Sequence, residues 1–158
     1  MRKAILIIDH GSKRGEANEM LDCVSNLVQA MAGGSVVVRH AHMELAEPTI
    51  ADGFAACVKA GATEVVAFPY MLSPGKHSTG DIPRLVAAAA APFPAVTYSV
   101  TPAFGVHEKL AELILLRADV RPNVIDAERC WHSSETPLTC GDACRCASAP
   151  GASSSLTA

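Results

Sequence analysis

Ala4-Ile5-Leu6-Ile7-Ile8-Asp9-His10-Gly11-Ser12-Lys13-Arg14 decides the fold. An apolar run without alternation, closed by polar residues, is what a strand buried on both faces requires, and such strands belong to parallel sheets covered by helices. The next segment, residues 16–31, spaces Met20, Val24, Leu27, Val28 and Met31 as one apolar helical stripe, and Gly33-Gly34 stops it. The alternation continues. Strands are expected at 35–40, 64–69 and 95–100, and helices at 48–60, 81–91 and 107–117, the last with Leu110, Leu113, Ile114 and Arg117 on or beside one face. Pro48 and Pro83 suit the first turns of their helices. Four strand–helix units in succession predict an α/β fold: an open, mainly parallel four-stranded sheet with helices on both faces. Residues 1–122 form that domain; residues 123–158 lose periodicity and read as an irregular, largely disordered C-terminal tail.

Composition narrows the function. The 158 residues carry a net charge of −3, so no basic field invites nucleic acid. No apolar run approaches the roughly 18–20 residues of a membrane span. No charged-then-apolar leader precedes the first strand, so the expectation is a cytoplasmic or already mature chain. The six cysteines divide: Cys23 and Cys57 fall in helices as small buried hydrophobes, whereas Cys130, Cys140, Cys144 and Cys146 crowd the tail. Their spacing lacks the paired knuckles of a zinc ribbon, yet four thiolates in one short segment can hold an iron–sulfur cluster or a zinc ion.

In an open parallel sheet the ligand lies beyond the carboxyl ends of the strands. His10 falls there, and so does His77, closing the loop Leu72-Ser73-Pro74-Gly75-Lys76-His77. Two imidazoles at that edge can bind a metal ion and accept a proton. Lys13, Arg14 and Lys76 add positive charge suited to an anionic substrate. Glu44 and Glu47, in the loop after the second strand, offer a carboxylate to complete a His/Glu metal site, with Glu47 preferred. His40 and His42 are left out of the site, on the expectation that they face opposite ways. His107 is expected on a helix surface, and His132 goes with the tail.

Ile8-Asp9-His10-Gly11-Ser12-Lys13, Glu44-Leu45-Ala46-Glu47-Pro48, Pro69-Tyr70-Met71-Leu72-Ser73-Pro74-Gly75-Lys76-His77 and Asp81-Ile82-Pro83, in that order over residues 3–120, resemble the small sirohydrochlorin chelatase family. The resemblance implies insertion of Fe2+ into sirohydrochlorin to make sirohaem, or of Co2+ for cobalamin synthesis. It makes His10 the proton acceptor and a metal ligand, and His77 the second ligand. Glu47, Leu72, Ser73, Pro74, Gly75, Lys76 and His77 contact the tetrapyrrole, and two single-unit copies pair as a homodimer. The tail cysteines resemble those of plant and algal members said to carry an iron–sulfur cluster. That implies iron as the metal, and the plastid stroma for a photosynthetic source.

Other classes remain. A phosphate-transfer enzyme of the histidine phosphatase kind needs Arg-His-Gly, and Asp9 stands where the Arg is required. A non-catalytic metal or tetrapyrrole carrier would use the same histidines, and only turnover separates it from a chelatase. A third reading makes the cysteine tail a metal-storage or partner module.

Overall fold

The computed structural model describes residues 2–124. These fall into two compact units, Met1–Ala103 and a second beginning at Phe104. In the first, β1 (Lys3–Asp9), α1 (Gly15–Ala32), β2 (Val36–His42), α2 (Ile50–Lys59), β3 (Glu64–Pro69), α3 (Ile82–Ala90) and β4 (Thr97–Val100) alternate as expected. All strand pairs are parallel, in the order β2-β1-β3-β4. The chain moves outward from β1 to β2, then returns past β1 to β3. The direction of winding therefore reverses between β1 and β3, and beyond the carboxyl ends at such a switch point is where open α/β sheets bind their ligands.

The period-two geometry of β1 builds two cores. Ala4, Leu6 and Ile8 point to one face and join Phe54 and Cys57 of α2 with Ile82 and Val86 of α3. Ile7 points to the other and packs with Val38 of β2 and Leu21 of α1. Phe54 is fully buried, and a side chain of its size contributes roughly 1.5–3 kcal/mol by leaving water. Gly53 lets α2 lie close on the sheet: a Cβ there would sit 2.7 Å from Leu6 Cδ1 and 3.0 Å from Ala41 Cβ. Burial pushes the Cys57 thiol up to about 11, so it stays protonated and inert as a small hydrophobe.

Several details differ from the sequence reading. The buried side of α1 is Leu21 and Ser25, with Val24 and Val28 partly buried; Met20, Leu27 and Met31 are exposed, and so is Cys23. An apolar stripe wider than the contact it makes leaves its flank in water. β2 runs to His42 rather than ending at His40, because the β1–β2 ladder continues to Asp9↔His42. α2 starts at Ile50, since Thr49 caps it: Thr49 Oγ1 accepts the Asp52 amide while the Asp52 carboxylate accepts the Thr49 amide. Residues 77–81 form a π-helical turn ahead of α3.

β2 is an outer strand, and α1 closes its free side. Gln29 Nε2 donates to the Val36 carbonyl at 2.9 Å, and Gln29 Oε1 accepts the Val38 amide at 2.8 Å. At the opposite margin, Thr97, Tyr98 and Ser99 of β4 are exposed.

The second unit contains α4 (Glu108–Arg117). His107 is its N-cap, Nδ1 accepting the Lys109 amide at 3.1 Å. No residue of α4 is buried, so the apolar face expected from Leu113 and Ile114 is open in the described residues. No helix among the described residues is long and apolar enough to cross a membrane.

Candidate functional site

His10 is placed by the end of β1. Beyond the strand the chain turns at Gly11, whose φ of +84° is a conformation L residues avoid. Asp9 Oδ1 accepts the Gly11 amide at 2.9 Å, and Ser12 is held by a double hydrogen bond to the Asn18 side chain of α1, 2.9 Å each way. The ladder with the β2 loop continues past the strands: the Met43 amide donates to Asp9 O at 2.8 Å and the Glu44 amide to His10 O at 3.1 Å. That register brings Glu44 against the imidazole, Glu44 Oε1 lying 2.8 Å from His10 Nε2. The carboxylate can only accept, so the proton in this contact sits on Nε2.

His77 comes from the β3 side. Its loop is tied by Gly75, whose amide donates to Ser78 Oγ at 2.9 Å and whose carbonyl accepts the Thr79 amide at 2.9 Å. His77 Nδ1 donates to Asp81 Oδ2 at 2.9 Å across the π turn, which places the proton on Nδ1 and leaves the Nε2 lone pair for an ion. This hydrogen bond, with the nearby positive groups of Lys76 and Arg84, holds the Asp81 carboxyl below the usual range against a smaller opposing effect of burial. The His10 and His77 rings meet edge to face with centroids 5.2 Å apart. Both imidazoles and Glu44 are about half exposed, so an ion reaches them from solvent.

The sequence reading thus has His10 and His77 together. The carboxylate that touches His10 is Glu44 rather than the preferred Glu47, because β2 extends further than its apolar residues signal. Glu47 is exposed, as are Leu72, Ser73, Gly75 and Lys76, while Pro74 is partly covered. Lys13 and Arg14 are exposed too. Asp81 was read only as a motif residue, although its spacing of four from His77 signals a side-chain pair on a helical turn. His40 and His42 do not face opposite ways: residues two apart on a strand share a face, and their rings lie 5.8 Å apart. Cys130, Cys140, Cys144 and Cys146, with His132, lie outside the described residues.

No three metal-binding side chains already converge as a ligand set among the described residues. Glu44 must release His10 Nε2 before an ion can lie between them. Asp81→Asn removes the charge behind His77 while leaving an acceptor oxygen. It is expected to weaken Co2+ binding by about tenfold, near the low end for an outer-shell change, as read by titration of the visible cobalt bands. Unchanged affinity would remove Asp81 from the site.

Comparison with known proteins bears on what this edge does. The CbiX family model matches residues 4–120. The chloroplastic sirohydrochlorin ferrochelatase of Arabidopsis thaliana is 44% identical over 110 residues, 70% of this chain and 48% of that protein. The sirohydrochlorin cobaltochelatase of Priestia megaterium is 31% identical over 115 residues, 73% of this chain and 37% of that protein. The crystal structure of the sirohydrochlorin chelatase SirB from Bacillus subtilis subspecies spizizenii, in complex with cobalt, superposes with a TM-score of 0.69 at 33% identity, covering 75% of this chain and 50% of that one. The chain spans half or less of the length of these relatives. With a family model running from β1 through α4, the chain belongs to the CbiX family.

Proposed function

We propose that this chain is a sirohydrochlorin ferrochelatase, inserting Fe2+ into sirohydrochlorin to give sirohaem. The observation that carries the reading is the pair of imidazoles 5.2 Å apart in the loops beyond β1 and β3, with the Glu44 carboxylate on one of them. Metal entry replaces two pyrrole N–H protons, so a divalent ion and a base must meet at the macrocycle. With its Nε2 proton passed to the Glu44 carboxylate and on to solvent, His10 serves as that base and as a ligand in turn; His77, fixed through Nδ1, offers Nε2 to the ion. Glu44 balances the positive charge as the ion arrives. The substrate is a flat ring with an acidic rim. Exposed Leu45 and Leu72 suit its face, and Lys13, Arg14 and Lys76 suit its carboxylates. Glu47 and the loop from Leu72 to His77 complete the binding surface. No step transfers an electron, so this chemistry has no need of the cluster that the resemblance attaches to the tail cysteines.

Cobalt is the second reading. Imidazole and carboxylate accept both ions, and the SirB relative is a cobalt complex. The resemblance to single-unit chelatases is what suggests pairing of two copies as a homodimer. The chloroplastic Arabidopsis relative supports a plastid location where the source is photosynthetic.

Sirohydrochlorin absorbance followed with Fe2+ and with Co2+ tests the reading, with sedimentation of the same sample giving the assembled mass. Conversion well above the uncatalysed rate is expected, faster with Fe2+, at twice the chain mass. Binding of sirohydrochlorin without conversion would leave a carrier, and a rate confined to Co2+ would establish the cobalt reading.

A further inference from the structure

We infer that His42 is a positioning residue for His10, acting through a buried clamp with Asp9. This rests on the chelatase reading only for its effect on turnover. His42 is 1% exposed, the most buried histidine in the described residues. It lies on the last rung of the β1–β2 ladder, opposite Asp9. Its Nδ1 is 2.6 Å from Asp9 Oδ1, and the acceptor is a carboxylate, so Nδ1 carries the proton. That same Oδ1 takes the Gly11 amide at 2.9 Å. One carboxylate oxygen therefore ties a buried ring to the backbone amide directly after His10. The Met43 and Glu44 amides, the next two along from His42, bond to the Asp9 and His10 carbonyls. The clamp is thus continuous with the contact that sets Glu44 against His10 Nε2.

A buried imidazole is costly to keep unless its hydrogen bonds are satisfied, and an apolar residue would fill the same face at lower cost. What His42 supplies beyond packing is a donor aimed at Asp9. Without it, the Asp9 carboxylate keeps the Gly11 amide alone among the described contacts, and the turn carrying His10 loosens against Glu44 although its backbone rungs to Met43 and Glu44 remain. The reacting nitrogen would then be misplaced while the surface loops that meet the tetrapyrrole stay as they are.

His42→Asn and His42→Gln are similar in size and polarity, but only the Asn amide nitrogen falls where Nδ1 was. In full-length protein, His42→Asn is expected to keep kcat for metal insertion within about threefold of wild type. His42→Gln is expected to lose roughly 10–100-fold in kcat, with KM for sirohydrochlorin unchanged and Co2+ affinity reduced. Melting curves on both variants show whether they fold alike. Equal loss in the two, or a loss in KM rather than kcat, would overturn the clamp and leave His42 a packing residue. If the wild type itself converts no sirohydrochlorin, the chelatase reading falls. The Co2+ titration then decides the clamp alone: weaker binding in Gln than in Asn sustains it, and equal binding ends it.

Discussion

His10→Ala is expected to abolish metal insertion, with a loss of about 10²–10⁴-fold from proton transfer alone. The variant removes the imidazole whose Nε2 meets Glu44 and whose ring lies 5.2 Å from that of His77. It leaves the fold almost untouched. The Gly11 amide still has Asp9, the Glu44 amide still has the backbone carbonyl of residue 10, and the half-exposed ring contributes little to either core. Sirohydrochlorin should therefore still bind, held by groups elsewhere on the rim. The measurement is single-turnover absorbance with enzyme in excess, which separates chemistry from product release. A variant that inserts metal within threefold of wild type would transfer the base to another group and end the role given to His10.

Gly11→Ala is expected to be the most damaging single-methyl change in the domain. The backbone at 11 lies at φ +84°, where an L side chain costs about 1–2 kcal/mol. A Cβ there would also fall inside the van der Waals shell of the Glu44 carbonyl oxygen, a backbone atom with no rotamer to yield, and 3.1 Å from His42 Cβ. The β2 loop has to move, and it takes Glu44 away from His10. Stability should fall by at least about 2 kcal/mol, which for a domain of this size is roughly a 10 °C drop in Tm. Insertion should fall even at temperatures where the variant is folded. Differential scanning calorimetry with the absorbance assay at 15 °C separates the two losses. Wild-type melting and wild-type turnover together would mean that the β1 and β2 loops do not touch as described.

The sheet was legible because Ala4 to Ile8 is apolar without alternation, and His10 and His77 were legible because βα loops gather at one edge. The carboxylate was not. Whether Glu44 or Glu47 reaches His10 depends on how far the β1–β2 ladder runs, and His40 and His42 look like a strand's polar end. Ladder length is a tertiary property, set by Asp9 pairing with His42, that no local window contains. The alternation rule itself was enough to put His40 and His42 on one face. The α1 stripe failed differently: Met20, Leu27 and Met31 have helical spacing with Val24 and Val28, but apolar character does not reveal which residues the sheet is wide enough to cover.

Gln29 gives the sheet a handed exposure to other chains. An unpaired strand margin is a template on which foreign strands can grow. With one amide, Gln29 occupies both the carbonyl of Val36 and the amide of Val38, so the β2 margin offers an incoming strand no free register there. Among the described residues the β4 margin shows no comparable side-chain guard, and Thr97, Tyr98 and Ser99 are exposed. Polymerisation by strand addition needs a donor margin and an acceptor margin on every copy. A molecule with one margin stoppered can at most join margin to like margin, and growth ends at a pair.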